Sequence, residues 1–403
     1  MNVDRMRQID FWAGVPLAFL MTLYWRIRCF FSPPVPSAAK NILFIELSEM
    51  GSAVIADAAL KRAGALFPDA RVYFLIFAKN RPSLDIMGTI PRENMLTIRV
   101  DNLVTLVVDT LRMIRTMRSL DLMAAIDMEM FSRFSALLTF LSGAPKRVGF
   151  HRFHTEGLYR GELLTHRVGY NPHQHIAKSF MALVHALTEP EGTTPHGKAA
   201  FSDEDVRLAP VAPSPEALDA FKARLFQAYP VLKDVKRWVI LNPNSSELMP
   251  LRRWPYDRYT EVARRLLEDE SLAIIVTGVA SEKAEAQILV DATGSDRACN
   301  LAGFTRMEDL IPLYALSQAM VTNDSGPAHF AAPVGLPTLV LFGPETPALY
   351  GALNEKAEFL TARLACSPCV SAMNHRSTAC TDPACMRAIT VEQVLDAVRR
   401  LLG

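Results

Sequence analysis

The sequence predicts an α/β protein whose mostly parallel sheets carry helices on both faces, and three observations predict it. From Lys40 onward, short apolar runs rich in branched residues alternate with segments of helical length. The alternation pauses once, between Ser202 and Lys236, where Pro210, Pro213, Pro215 and Pro230 accumulate, and then restarts. The strongest apolar runs end in turns built from small polar residues and glycine, and ligands of such sheets gather at strand carboxyl ends. With 403 residues there is room for two domains and ample core.

Charge narrows the partners. Lys plus Arg number 43 against 42 Asp plus Glu, a net charge of +1, so the basic excess of a nucleic-acid binder is missing. Six cysteines in so long a chain do not describe a small secreted disulfide scaffold.

The N-terminal segment, residues 1–39, stands apart. Phe11 to Trp25 carries no charge, is flanked by Arg5, Arg7, Arg26 and Arg28, and has aromatic residues at both ends. As a helix it would span roughly 22 Å at about 1.5 Å per residue, short of the roughly 30 Å hydrocarbon core. A signal peptide cleaved near Ser37-Ala38-Ala39 and a buried N-terminal helix are the rival readings. The flanking arginines and the proline-rich stretch at 33–36 favour a short anchor lying in or dipping into the membrane, with the body cytoplasmic.

The first domain is expected over 40–205. Asn41 to Leu47 reads as a buried strand, Ser48-Glu49-Met50-Gly51-Ser52 as its turn, and Ala53 to Phe67 as a helix. Strands follow at Val72–Phe77, Met95–Val100 and Met123–Asp127, with helices at Asn102–Leu120 and Phe131–Leu141. Residues 206–236 are expected to link the domains. Asp203-Glu204-Asp205 could pass for a metal-binding Asp-x-Asp, but Ser202 before acidic residues is a plain helix start.

The second domain is expected over 237–403. Trp238–Leu241 leads into Asn242-Pro243-Asn244-Ser245-Ser246, then Arg252-Arg253-Trp254-Pro255 and a helix over Tyr256–Leu267. Ala273–Val276 opens into Thr277-Gly278 and a helix carrying Glu282. Ala319–Thr322 ends in Asn323-Asp324-Ser325-Gly326, where Pro327 fits the first turn of a short helix that Gly335 and Pro337 terminate. Main-chain N–H groups, hydroxyls, a guanidinium and a carboxylate at three strand ends suit a nucleotide diphosphate.

The run Thr322-Asn323-Asp324-Ser325-Gly326-Pro327-x-His329-x-Ala331-Ala332, followed by Gly335-x-Pro337-Thr338 and Leu341-Phe342-Gly343-Pro344, resembles the C-terminal signature of glycosyltransferase family 9. These are the bacterial heptosyltransferases of lipopolysaccharide core assembly. Arg252-Arg253-Trp254-Pro255, Thr277-Gly278 with Glu282, Ile45 to Ala56, Asp127 and Arg147-Val148-Gly149-Phe150 are similar to its other blocks. The resemblance implies a GT-B architecture: two Rossmann-like doubly wound domains facing a cleft. It also implies metal-independent, inverting transfer of heptose or a related sugar from a nucleotide-diphosphate donor, ADP-linked, to a glycolipid or glycan acceptor at the cytoplasmic face of the inner membrane. Donor binding falls by resemblance on Ser245, Arg252, Thr277, Gly278, Glu282, Asp324, Ser325, Gly326 and His329. Arg252 would meet phosphate and Glu282 the ribose, while Trp254 reads as core.

One position departs from the family. Its opening turn reads Gly-Asp, with Asp as the base for the acceptor hydroxyl, whereas here Gly51-Ser52 stands on the acceptor side. Serine is no base near neutrality without a partner. Glu49, three residues earlier, is the expected replacement, with Glu129 or a histidine as alternatives. A non-catalytic nucleotide-sugar or glycan binder is the competing function, and a sugar-nucleotide epimerase a weaker one.

Two further clusters remain. The His- and Arg-rich stretch His151 to Lys178 reads as an acceptor-site lining for an anionic glycolipid or as a solvated loop; His151 with His154 and His173 with His175 lack cysteine partners for zinc. Cys366, Cys369, Cys380 and Cys385 have the spacing of a structural four-thiolate zinc site, with free thiols or a disulfide as alternatives. No catalytic metal or cofactor is expected. Val391–Leu402 closes the chain as an amphipathic helix.

Overall fold

The computed structural model describes residues 3–31, 39–153, 158–190, 192–245, 249–374 and 376–403. Ser37, Ala38, His154 and Ser246 therefore lie outside the described residues. The chain forms two compact units: Met1–Val206 with Ser371–Arg376, and Arg207–Val370 with Ser377–Gly403.

Unit 1 begins with α1 (Val3–Trp12) and α2 (Gly14–Phe31), then β1 (Asn41–Ile45), α3 (Met50–Ile55), α4 (Asp57–Leu66), β2 (Val72–Phe77), α5 (Pro82–Met87) and β3 (Met95–Ile98). It continues with α6 (Leu103–Ser119), β4 (Leu122–Asp127), α7 (Arg133–Leu141), β5 (Lys146–His151), β6 (His166–Gly169) and α8 (Ile176–His185). The six strands pair in parallel in the order β3-β2-β1-β4-β5-β6. Near-continuous burial of β1, β2 and β4 explains their unbroken apolar sequences. Asn102 caps α6 by accepting from the Thr105 N–H at 2.9 Å, and Ser132 caps α7. The single helix expected after β1 is instead two, meeting at Ala56.

The N-terminal apolar run begins at the end of α1 and continues through α2, which packs on α7. Small residues make this possible: α2 buries Gly14, Ala18 and Thr22, one turn apart. A Cβ at Gly14 would stand 2.8 Å from the Arg133 Cβ. At Gly161, where φ is +71° and glycine is favoured, a Cβ would stand 2.6 Å from the Thr22 Oγ1. Asp10 accepts from the backbone N–H groups of Arg133 and Phe134 at 2.9 Å and pairs with the Arg133 guanidinium at 3.0 Å. Bulky residues of the same helices, among them Trp12, Phe19, Leu20, Leu23 and Phe30, are exposed. Among the described residues no helix is long and apolar enough to cross a membrane.

Unit 2 holds α9 (Pro215–Ala228), β7 (Arg237–Asn242), α10 (Tyr256–Leu266), β8 (Leu272–Val276), α11 (Lys283–Thr293), β9 (Ala298–Asn300) and α12 (Met307–Leu316). It goes on with β10 (Ala319–Asn323), α13 (Gly326–Ala331), β11 (Thr338–Phe342), α14 (Pro347–Tyr350), β12 (Ala357–Thr361), α15 (Ala384–Arg387) and α16 (Val391–Leu402). Its parallel order, β12-β11-β10-β7-β8-β9, is the same winding as in unit 1. The stretch expected as a linker contains α9, which buries Phe221 and Leu225 and packs on α12. The core gathers Trp254, Tyr259, Val262, Leu341, Val394 and Val398, so α10 and α16 cover one sheet face.

Candidate functional site

Each sheet reverses its strand order once, between β1 and β4 in unit 1 and between β7 and β10 in unit 2. At such a switch point the loops diverge and leave room for a ligand beyond the strand ends. Both switch points carry the sequence-predicted residues.

In unit 2, Arg252 donates from Nη1 to the Asp324 carbonyl at 3.1 Å and to its Oδ2 at 3.3 Å. Both residues are buried. Asn323 ties the loops together: Nδ2 donates to the Pro243 and Asn244 carbonyls at 2.8 and 3.3 Å, and Oδ1 accepts from the Trp254 N–H and the Tyr259 hydroxyl at 3.1 Å each. Asn242 donates to Thr277 Oγ1 at 3.0 Å, bringing in the loop after β8. Ser245 Oγ donates to the Met249 carbonyl at 3.2 Å, and Ser325 Oγ donates to the Asn323 carbonyl at 3.1 Å. Trp254 is core, fully buried, its indole N–H on the Ile389 carbonyl at 3.0 Å.

The predicted donor residues thus come together with two qualifications. Glu282 turns back on its own loop, Oε2 accepting the Val279 N–H at 2.8 Å. Gly278 permits this, since a Cβ there would meet that same Oε2 at 2.6 Å. Gly326, Pro327 and His329 lie on α13, only six residues long, so its dipole is small and any anion must be met by first-turn N–H groups. His329 is buried on that helix.

Glu345 was missed. It follows β11 in the Gly343-Pro344-Glu345 turn, is buried, and faces the Arg252–Asp324 pair. Burial, with the Asp324 charge adding to it, pushes its carboxyl up to about 8. Burial also raises Asp324, with the Arg252 guanidinium pulling it back. The strand-end rule would have found Glu345, because it sits in the turn directly beyond a buried strand.

In unit 1 the β1/β4 switch point is acidic. Glu129 Oε1 accepts from the N–H groups of Leu47 and Ser48 at 2.9 and 3.0 Å and from the Ser48 hydroxyl at 2.8 Å, closing the β1 turn. Glu49 pairs with Arg376, which the returning segment Ser371–Arg376 delivers from far along the chain. Ser52 is buried in α3 beside Gly51. Asp127 pairs with Arg160 and accepts from the Ser135 hydroxyl at 3.0 Å. Burial drives the Glu46 carboxyl well above the usual range, with Glu129 and Asp127 adding to it. Burial likewise lifts Asp127 to about 6 and raises Glu129, whose turn N–H groups oppose the shift. Glu46 and Arg376 were not anticipated. No local pattern marks Arg376, which lies 327 residues from Glu49.

The remaining clusters part ways. His151, Arg152, Tyr159, Arg160 and Glu162 line a cavity of about 100 Å³. Burial, with Arg167 next, brings His151 down to about 4, so it is neutral near pH 7. Cys366, Cys369, Cys380 and Cys385 line a cavity of about 140 Å³, but all are free thiols. Among the described residues no group of three or more His, Cys, Asp or Glu could hold a metal ion, which corrects the zinc expectation. The four thiols share that cavity without closing into a metal-ligating group. Asp205 caps Ser202, with its Oδ2 accepting that residue's N–H and hydroxyl at 2.7 Å each, as a helix start requires.

Comparison with known proteins agrees with the fold. Lipopolysaccharide heptosyltransferase 2 of Salmonella typhimurium is 34% identical over 118 residues, 28% of this chain and 34% of that protein. The chain therefore matches about a third of the length of such curated relatives. Among solved structures, the E. coli ADP-heptose LPS heptosyltransferase II superposes with a TM-score of 0.69 at 21% identity, covering 90% of this chain and 98% of that one. A family 9 glycosyl transferase from Veillonella parvula gives 0.69 at 18%, covering 91% and 98%. The sequence profile of glycosyltransferase family 9 (heptosyltransferase) matches residues 110–379, starting beyond the β1 turn and taking in the whole β7/β10 switch point. With more than half of its length inside that profile, the chain belongs to glycosyltransferase family 9.

Proposed function

We propose that the protein is an inverting, metal-independent glycosyltransferase that moves heptose from ADP-heptose to a lipopolysaccharide core acceptor. The observation that carries the reading is the buried Arg252–Asp324 pair, set at the unit 2 switch point among amide and hydroxyl groups, in a family 9 chain. Arg252 is the fixed cation for a diphosphate, and charge building on the leaving group meets it and the first-turn N–H groups of α13. The ADP-linked donor is supported by the solved E. coli relative, an ADP-heptose enzyme.

Acceptor activation is assigned to unit 1. Glu49 is the base of this proposal, and Arg376 fixes its carboxylate in one geometry at the β1 turn. A second reading has its own observation: burial raises the Glu129 carboxyl, making it a stronger base than an exposed carboxylate. Arg152, in the cavity lining beside His151, supports an anionic glycolipid acceptor. Packing of α2 along α7, with its bulky residues outward, supports an N-terminal segment lying on the cytoplasmic face of the inner membrane rather than crossing it.

The test is thermal unfolding of the full chain against ADP-, UDP-, GDP- and CMP-linked sugars, followed by ADP release with and without acceptor. A donor at about 100 times its dissociation constant should add roughly 2.7 kcal/mol. A shift with ADP-heptose and acceptor-dependent ADP release is the expected result. A shift without release would leave a binding protein, and no shift with any nucleotide sugar would remove the donor site.

A further inference from the structure

The helix α6 resembles an ordinary amphipathic helix in sequence, yet it is apolar on both sides. Its inner side sets Met113 and Met117, flanked by Leu106 and Ile114, on the sheet. Its outer side leaves Leu103, Val104, Val107, Val108 and Leu111 exposed, Val104 by 73%. Positions 104, 108, 111, 115 and 118 fall on one face, so this stripe runs from two valines and a leucine into Arg115 and Arg118. Arg112, Arg115 and Arg118 are exposed, and the helix's one acid, Asp109, is buried against Arg99 at 2.8 Å. An exposed face that is apolar and purely cationic suits an anionic lipid surface better than water.

Its location adds to this. α6 and α7 cover the same face of the unit 1 sheet, since Met113, Met117 and Leu138 share one core cluster. The Arg118 guanidinium reaches the Leu141 carbonyl at 3.0 Å, joining the ends of the two helices. α2 packs on α7, and its own exposed charges, Arg26 and Arg28, are again basic. The bulky outward residues of α2 and the stripe on α6 thus belong to the same side of the unit.

We propose that the outer face of α6 is a second membrane-contacting surface, laid with α1 and α2 into the headgroup region of an anionic bilayer. The proposal deepens the membrane-association reading above and rests on it. Attachment through α6 as well as α1 and α2 would fix how unit 1 is oriented on the bilayer.

The experiment is co-sedimentation of the full chain with phosphatidylcholine vesicles, with and without phosphatidylglycerol. Val104→Glu combined with Val108→Glu should weaken partition at least about tenfold, with unfolding temperature and monomer size unchanged. Arg112→Ala and Arg115→Ala should each cost about fivefold, only on the anionic vesicles. Leu20→Glu with Leu23→Glu tests the N-terminal helix separately. If that pair abolishes binding while the α6 variants partition as wild type, the α6 surface falls and the N-terminal reading stands. If wild type binds no vesicle, both fall. Should the α6 variants instead disrupt a concentration-dependent dimer with vesicle binding intact, a second copy covers the face and the proposal is overturned. Val108→Trp does not depend on the charged variants folding. Brominated lipid should quench the emission that this substitution adds to that of wild type. If the added emission stays unquenched on bound vesicles, the proposal is overturned.

Discussion

The two switch points share one winding but gather different chemistry. In unit 1 the ends of β1 and β4 gather Glu46, Glu49, Asp127 and Glu129, answered by Arg160 and Arg376. In unit 2 the ends of β7 and β10 offer amides, hydroxyls and Arg252, with Asp324 and Glu345 behind them. The same topology supplies a place for basic carboxylates in one unit and for anion-binding donors in the other. Fold fixes where the chemistry sits, and the strand-end residues fix what that chemistry is.

Breaking the acidic side should have the largest effect. Glu49→Gln is expected to lower kcat by about 10²–10⁴ while the donor-induced thermal shift persists. Turnover within about threefold of wild type would move the role to Glu129, to be checked with Glu129→Gln. On the other side, Arg252→Met leaves Asp324 buried without its cation. It should cost about 3–5 kcal/mol of stability in chemical unfolding and abolish the donor shift. Asn323→Ala removes the amide that holds three loops together, and about 1–3 kcal/mol should be lost even without ligand.

Glu345 sharpens the contrast through pH. Its folded-state carboxyl titrates near 8 against an ordinary 4.5, so the folded protein holds that proton more tightly than the unfolded chain. Its contribution to stability is complete below about 4.5 and is lost as pH rises through about 8. Asp127, raised to about 6, and Glu46 add slope of the same sign. Glu345→Gln should therefore flatten the Tm–pH curve across this window and raise Tm at its alkaline end. An unchanged slope would place the titration elsewhere. The smallest effect is expected of Gly278→Ala, which displaces the flexible end of Glu282 and presses lightly on the Asn244 amide. It should change donor affinity by about 1 kcal/mol or less and leave kcat alone.

Much of this was legible in the chain itself. Buried parallel strands announce themselves as apolar runs, and turns such as Asn323-Asp324-Ser325-Gly326 follow them, so strands and donor loops were placed within a few residues. What stayed hidden depends on tertiary partners. Asn323 looked like one more turn residue, because its bonds to Pro243, Trp254 and Tyr259 span 64 to 80 positions. Glu46 read as part of a strand, although β1 ends at Ile45 and leaves it buried among carboxylates. α2 defeated the usual rule, since it turns glycine, alanine and threonine inward and most of its bulky residues outward, Trp25 against Phe140 excepted. Cysteine spacing described a zinc site, whereas the folded loops bring the four thiols to one cavity without metal-ligating geometry.

The six residues Ser371–Arg376 belong to unit 1 although the chain on either side of them belongs to unit 2. The polypeptide therefore passes between the units three times rather than once. A cut at the 206/207 junction would yield an N-terminal fragment lacking Arg376, and so lacking the counter-charge of Glu49. Splitting the gene there for complementation would separate a carboxylate from its own cation. Fragments meant to reassemble need their break inside one unit's surface loops, where covalent order and charge pairing stay together.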